Sequence, residues 1–425
     1  MLIPSVDLLN ILHGAQMGVW TELLDDGSIA LVVKLPQSII KKMYRGIHCA
    51  LITAVIEVER FHILYVGFCV YDDIKHPLII VQPVATEKAQ TEFQDMLRHS
   101  PTILHMFDEL CHPLLRASCG FDSATATKAF NNIIDTHPHA LGAIPSDMNH
   151  ALEFARAVDT GIGTFQKDLD SIKKGISSVS VPITNHVIPL SLIVDEPPNG
   201  YSINAMGDSV EFTITQQDEG YAFEQLLRFS MNDLYRGQAF LHPIVNVARK
   251  ERELADLLAL EYDDNIICLV QAKSIASLQV RIDQTSEKRS TFTERQVGKA
   301  LKQLTGAIRQ IRAGKRVLDC NHTIIETPDP KTSMIHAIVL VSELYPFADW
   351  KTIGKNFTAI SDNEKYRALF HVLDLLELQQ LVKSSNSAKV FHNYLLQRWV
   401  IVKKTGTAYV RSRTRRPQDN EADSL

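Results

Sequence analysis

The chain has 425 residues, 45% of them hydrophobic and 22% charged, with a formal net charge of -5 at pH 7. That length is too great for one compact core and predicts two or three domains, and the composition excludes a low-complexity or wholly disordered chain. The acidic balance excludes a protein that is basic overall, although a basic groove can still sit on an acidic body.

The first 14 residues, MLIPSVDLLNILHG, carry no basic leader and are interrupted by Asp7, Asn10 and His13, so no signal peptide is expected. Residues up to about 110 predict a strand-rich meander, with Ser28–Lys34, Cys49–Val58 and Phe61–Val70 rich in β-branched and aromatic residues. The most apolar stretch, Cys49–Tyr71, is broken by Glu57, Glu59 and Arg60, short of the roughly 20 uninterrupted apolar residues of a membrane helix. Six scattered cysteines without CxxC spacing suit a reducing compartment, and a soluble, cytoplasmic protein is expected. Cys111, His112 and Cys119 lack a second ligand pair, which argues against zinc. Ser123–Lys174 reads as helical, and His137 and His139 fall in an expected surface turn. Val187–Val194 predicts a strand, and Asp195-Glu-Pro-Pro-Asn-Gly200 is the clearest boundary in the chain. Residues 1–200 are therefore expected to form a mixed β/α domain with a sensing or partner-binding role.

Beyond that boundary the elements come in the order α, β, β, β, α, β. Asp218–Tyr235 is an amphipathic helix with Phe223, Leu226, Leu227, Met231 and Leu234 on one face. Phe240–Ala248, Leu254–Glu261 and Ile266–Lys273 follow as strands. A long helix, Glu294–Ala313, opens on the capping box Thr293-x-x-Gln296 and stops at Gly314. Ile335–Ser342 is the last strand of this group. The expected class is a multidomain α/β (α+β) protein, with a core over 201–345 and a helical region over 346–425. That region ends in a basic, disordered tail with Arg411, Arg413, Arg415 and Arg416.

The middle strands carry the chemistry. If the hairpin closes at Asp263-Asp264, Tyr262 faces Asn265 and Asp256 falls opposite Gln271, with Cβ atoms about 4.5–5.5 Å apart. Lys273, two residues on, points to the same face. An acid, an amide and an amine thus converge on an otherwise apolar hairpin; the competing reading is an ordinary Asp256–Lys273 ion pair. From Lys273 to Arg316 there are eleven Lys or Arg against three acids. Lys299, Lys302, Arg309 and Arg312 lie off the apolar stripe of the long helix, where a phosphate backbone or plain solvent would meet them. No G-x-x-x-x-G-K-[ST] loop and no G-x-S-x-G elbow is present, since Gly354-Lys355 is followed by Asn356.

Glu224…Asp256…Gln271-Ala272-Lys273, in this element order, resembles the PD-(D/E)XK phosphodiesterase superfamily, in the restriction-endonuclease-like branch where glutamine replaces the second acid as Q-x-K. The resemblance covers Asp218 to about Ser342. It implies a restriction-endonuclease-like αβββαβ core and a Mg²⁺- or Mn²⁺-dependent endonuclease acting on DNA, with RNA left open. It implies a metal held by Asp256, the Gln271 carbonyl oxygen and the Ala272 backbone carbonyl, with Lys273 orienting the attacking water. Glu224 matches the acid that reaches the metal through water, with Glu253 as a rival, and Gln303 matches a glutamine that touches nucleic acid. Two-strand cutting would need two sites and hence a homodimer, and restriction or antiviral defence is the role implied by analogy. The alternative is a nuclease-fold module without activity that binds nucleic acid or a protein partner, because Gln271 brings one negative charge less than the family's usual acid.

Overall fold

The structure is a computed structural model. It describes residues 4–15, 17–58, 61–72, 78–84, 87–136, 183–195, 200–205, 208–215, 219–247, 250–274 and 286–411. The helical reading of 137–174 and the turn expected at His137 and His139 lie outside these residues, as do Arg413, Arg415 and Arg416. Two compact units are present: residues 1–204, 211–215 and 277–284 make the first, and residues 205–210, 216–276 and 285–425 the second. The C-terminal region belongs to the same unit as most of the middle third.

The first unit is built on one eight-stranded sheet. Its strands are β1 (Gly18–Leu23), β2 (Ile29–Lys34), β3 (Cys49–Val58), β4 (Phe61–Val70), β5 (Leu78–Pro83), β6 (Thr102–Phe107), β7 (Pro113–Gly120) and β8 (Ile183–Val194). Their order is β1-β2-β6-β7-β8-β3-β4-β5, which leaves β1 and β5 as its edges. These edges approach one another, so the sheet curls nearly into a barrel. Helices α1 (Val6–Gly14), α2 (Gln37–Tyr44), α3 (Glu87–Arg98) and α4 (Ser123–Thr136) accompany it. A hairpin, β9 (Gly200–Ala205) and β10 (Asp208–Thr213), follows in the chain.

The second unit begins with α5 (Glu219–Asn232). The expected strand over 240–248 is two: β11 (Ala239–Leu241) and β12 (Ile244–Val247), in different sheets. Pro243 cannot donate to a ladder and His242 takes a positive φ of 46°, which turns the chain between them. The next expected strand, Leu254–Glu261, begins three residues later as β14 (Leu257–Glu261), and before it lies an unforeseen strand, β13 (Lys250–Glu253), paired with β12. After β15 (Ile266–Lys273) comes α6 (Ser286–Arg312), which starts seven residues before the expected capping box and leaves Thr293 buried within the helix. Gly314 does end it, with a φ of +67° that an L side chain would resist. Short β16 (Val317–Leu318) and β17 (Ile324–Ile325) join the β12–β13 sheet, and β18 (Met334–Val341) returns to the main one.

Residues 349–404 are not wholly helical. Between α7 (Trp350–Asn363) and the helices α8 (Leu375–Lys383) and α9 (Ala388–Thr405) lies β19 (Ala368–Asp374). All seven of its residues are buried. A parallel strand covered on both faces shows no alternation, so ALFHVLD merges with the helical pattern after it. The main sheet runs β11-β14-β15-β18-β19, antiparallel through β15 and parallel beyond.

Helix α6 packs Val297, Leu304, Ile308 and Ile311 into one cluster with Leu258, Leu260, Ile267, Leu269, Ala337 and Val339 of the sheet. The residues between these on the strands meet other partners. Cys268 and His336 are adjacent across β15 and β18. His336 Nδ1 lies 3.1 Å from His371 Nε2, the His336 ring stacks on His392, and the Tyr235 hydroxyl lies 3.1 Å from His392 Nε2. Burial holds all three imidazoles neutral, His392 down to about 3.

The segment after α9, expected to be disordered from Thr405, is ordered as far as Arg411. Gly406 caps the helix at φ +69°, Ala408 and Val410 are buried, and Arg411 Nη1 donates to Asp374 Oδ1 at 2.9 Å. This return explains Gly354. A Cβ there would meet Gly406 O at 2.6 Å and Ala408 N at 2.9 Å, both backbone atoms that cannot swing aside. Gly354→Ala should therefore destabilise the protein by about 1–3 kcal/mol, read from urea unfolding; an unchanged midpoint would mean that α7 does not hold the returning chain.

Candidate active site

Asp256 sits one residue before β14, where the chain leaves the buried pair Leu254–Ala255. Its place is set by the hairpin, in which Leu257 pairs with Val270 and Glu261 with Ile266, so that Asp256 comes level with Gln271. The Gln271 side-chain amide donates to Asp256 Oδ1, and the Ala272 N–H donates to Oδ2 at 2.6 Å. Both side chains are buried, Asp256 at 6% and Gln271 at 3% exposure, so this carboxylate is desolvated and its oxygens are held by protein. Strand alternation puts Gln271 and Lys273 on the face of Ile267 and Leu269. Lys273 is half-buried, and its ammonium favours the ionised form of Asp256.

Glu224 of α5 joins through a residue that sequence reasoning missed. His242 directly follows β11, and its backbone N–H donates to the Asp256 carbonyl at 3.1 Å. Its ring stands between two acids, Nε2 at 3.4 Å from Glu224 and Nδ1 at 3.0 Å from Glu253. Burial alone would push the imidazole down, but Glu253, Glu224 and Asp256 outweigh it and raise its pKa. The signal available in the sequence was His242-Pro243, an odd pair to find inside a strand. Glu253 and Glu224, weighed as rivals, are thus two arms of one cluster.

The cluster holds more negative charge than it neutralises internally. Burial raises Asp256 to about 6, against the pull of Lys273 and the Ala272 N–H. Burial first, then the nearness of Asp256 and Glu253, raises Glu224 to about 7. Surplus, partly desolvated carboxylates are the condition that a bound cation relieves. Among the described residues no group of three or more His, Cys, Asp or Glu side chains is arranged to hold a metal ion, so any metal here would draw on amide and backbone oxygens besides Asp256. Cys111, the centre of the discounted zinc reading, instead lies 3.2 Å from Lys34 Nζ.

The five residues placed on the long helix separate into two groups. Lys299, Lys302, Gln303 and Arg309 are exposed. Arg312 is engaged inside the unit, donating to the carbonyls of Ser333 at 3.1 Å and Arg367 at 3.0 Å and facing Glu364 at 3.5 Å. Its fork ties the end of α6 to the entries of β18 and β19, so it has a structural role that the exposed four lack.

No family model, curated protein or solved structure matches the chain. Among the described residues no helix is long and apolar enough to cross a membrane.

The raised carboxyls predict a pH signature. A group whose folded pKa lies above its unfolded value of 4.5 stabilises the fold most when protonated, and that contribution fades as pH climbs through about 7. In metal-free buffer, Glu224→Gln should therefore gain on the wild type between pH 4.5 and 8, by on the order of 2 kcal/mol. Urea unfolding of both proteins across that range is the check; a flat difference would mean that neither burial nor the neighbouring acids raise Glu224.

Proposed function

We propose that this chain is a metal-dependent phosphodiesterase, an endonuclease of the PD-(D/E)XK type acting on DNA, with Asp256, Gln271, Ala272, Lys273 and Glu224 as its active site. The observation that carries the reading is the Asp256–Gln271 contact at the end of an antiparallel hairpin, with Lys273 two residues on and Glu224 brought in by His242. Further support is the order of elements in the main sheet, where α5, the antiparallel strands β11, β14 and β15, the helix α6 and the parallel strand β18 come in that sequence, with β12–β13 and β16–β17 interposed as a separate small sheet. This is the order of the restriction-endonuclease-like core.

The residues fit a divalent cation by the surplus of buried negative charge and by the oxygen donors at hand. Asp256, the Gln271 amide oxygen and the Ala272 carbonyl would hold it, with Glu224 acting through water. When bound, Mg²⁺ or Mn²⁺ would supply a Lewis acid at the scissile phosphate and lower the pKa of water. The remaining work is done by the chain itself. Lys273 orients the attacking water by hydrogen bonding and offsets charge that builds on the phosphate. His242 holds Glu224 and Glu253 apart and keeps them facing the site. Lys299, Lys302, Gln303 and Arg309 provide a basic, exposed helix face for the sugar-phosphate backbone. A role in restriction or antiviral defence, with the first unit sensing a target or partner, is the biological reading by analogy.

A second reading, a nucleic-acid-binding module without catalysis, is favoured by one observation. Both Asp256 oxygens already accept hydrogen bonds, one of them from the very amide that would turn its oxygen to a metal. Cleavage assays separate the two.

For binding, replacing Lys299, Lys302 and Arg309 together by Ala should weaken affinity for duplex DNA and reduce the salt dependence by roughly 0.9 in slope per lost phosphate contact. Fluorescence anisotropy at several salt concentrations tests this, and a wild-type slope in the triple variant would make the helix a solvated face only.

For catalysis, Lys273→Ala should abolish plasmid nicking while sparing metal binding, since an ammonium does not ligate a cation. Asp256→Asn should lose both. Gln271→Glu should tighten Mg²⁺ binding in calorimetric titration, because it adds a charge where the family usually has one. Nicking at the wild-type rate by both Lys273→Ala and Asp256→Asn would place the active site elsewhere.

A further inference from the structure

On the face of the main sheet turned away from α6, one layer of the second unit's core is polar. His336 of β18, His371 of β19 and His392 of α9 are each at most 2% exposed, and Tyr235, just past α5, and Cys268 of β15 close the group. The His336 ring lies 5.4 Å from that of His371 and 5.0 Å from that of His392, centroid to centroid, and near-parallel to both.

Hydrogen bonding does not balance in this layer. A neutral imidazole brings one donor and one acceptor. His336 and His371 share a single contact, Nδ1 to Nε2, and their other nitrogens have no partner among the described residues. Whichever ring donates, one buried N–H and one buried acceptor are left over. His392 uses Nε2 on the Tyr235 hydroxyl, and its Nδ1 is likewise without a partner among the described residues. Unmatched polar atoms in a core cost stability that a leucine would not.

A proton added here finds little to offset it. Among the described residues no carboxylate hydrogen-bonds to any of the three rings. The groups facing them are Tyr235, Cys268 and Arg398 of α9, whose positive charge opposes protonation of His371. Glu377 of α8 is paired with Arg398, and Glu261 of β14 acts on Tyr235. Two protonated rings at these separations would also repel one another.

We infer that this layer is an acid-operated latch, which holds α5 and α9 on the sheet while the imidazoles are neutral and releases them when the rings take up protons. The latch does not depend on the nuclease reading. Its direction follows from where the protons go. A histidine in an unfolded chain titrates near 6.5, and burial first, then neighbouring positive charge, sets all three below that value in the fold. Above about 6.5 both states are neutral and the contribution is whole. As pH falls further only the open state gains protons, so each imidazole raises the opening constant by about tenfold per pH unit.

The test uses the full chain carrying Trp20→Phe, so that Trp350 and Trp399, both buried in the second unit, report its unfolding. His336→Leu with His371→Leu removes both halves of the unbalanced pair. Below pH 6, the urea-unfolding constant of the parent should rise relative to this variant by a factor approaching about 100 per pH unit, the share of two histidines. Glu224 and Asp256, whose raised pKa values act in the opposite direction, are common to both proteins and cancel. Amide exchange, corrected for its intrinsic pH dependence, should rise between pH 7 and pH 5 in α5 and α9 more than in α6. Should the double variant not fold, histidine NMR of the parent decides: the three rings should keep neutral shifts until the native signals vanish. The inference is overturned if parent and variant stay a constant distance apart from pH 7 to 4.5, if α5 and α9 open no sooner than α6, or if a histidine of the layer titrates near 6.5 in the native protein.

Discussion

Pairing of Leu257 with Val270 is the constraint on which the candidate site depends. Strand side chains alternate, so a slip of one residue would carry Gln271 and Lys273 to the opposite face and leave Asp256 against apolar neighbours. Two things hold the register. The turn at Asp263-Asp264 closes with Asn265 at φ +54°, a conformation asparagine tolerates better than most residues. The faces of the hairpin also want different partners, Leu258, Leu260, Ile267 and Leu269 packing under α6 while Cys268 lies beside the buried histidines.

From that register follows an electrostatic tension. A carboxylate is buried at the sheet end, satisfied by one amide side chain and one backbone N–H, and two further acids stand close by. The nearby counter-charges are the half-buried Lys273 and the imidazole of His242. An arrangement that only stabilised the fold would replace Asp256 by an apolar residue and avoid the desolvation altogether. The desolvation that raises Asp256 and Glu224 is therefore a cost the fold carries at this sheet end, set against the pull of Lys273 and His242.

In the second unit, guanidinium groups tie both ends of the parallel strands β18 and β19 to the helices. Arg398 and Arg411 gather Glu377 and Asp374 where β19 runs into α8, Arg398 lying buried with its fork also reaching the Val372 and Val410 carbonyls. Arg312 ties the end of α6 to the strands β18 and β19. These buried, multiply bonded guanidinium groups keep the crossover helix and the parallel strands together, and with them the side of the sheet on which Gln271 and Lys273 sit.

Periodicity and turn chemistry act locally, and for that reason the sequence alone determined a good deal: strands β2, β3, β4 and β8 of the first unit, the amphipathic helices α5 and α6, the hairpin turn and, by counting outward from it, the meeting of Asp256 with Gln271. Tertiary structure decided the rest. β19 was invisible because a strand buried on both faces loses its alternation. The split at His242-Pro243 depended on two different sheets claiming the two halves of one apolar run. Arg312 looked like its basic neighbours until carbonyls of β18 and β19, distant in sequence, closed around it. His242 could not be assigned a place from its own segment, because its partners come from a helix before it and a strand after it. Local sequence carries the propensity of each element, whereas the position of a charge relative to another depends on chain segments that meet only when the core forms.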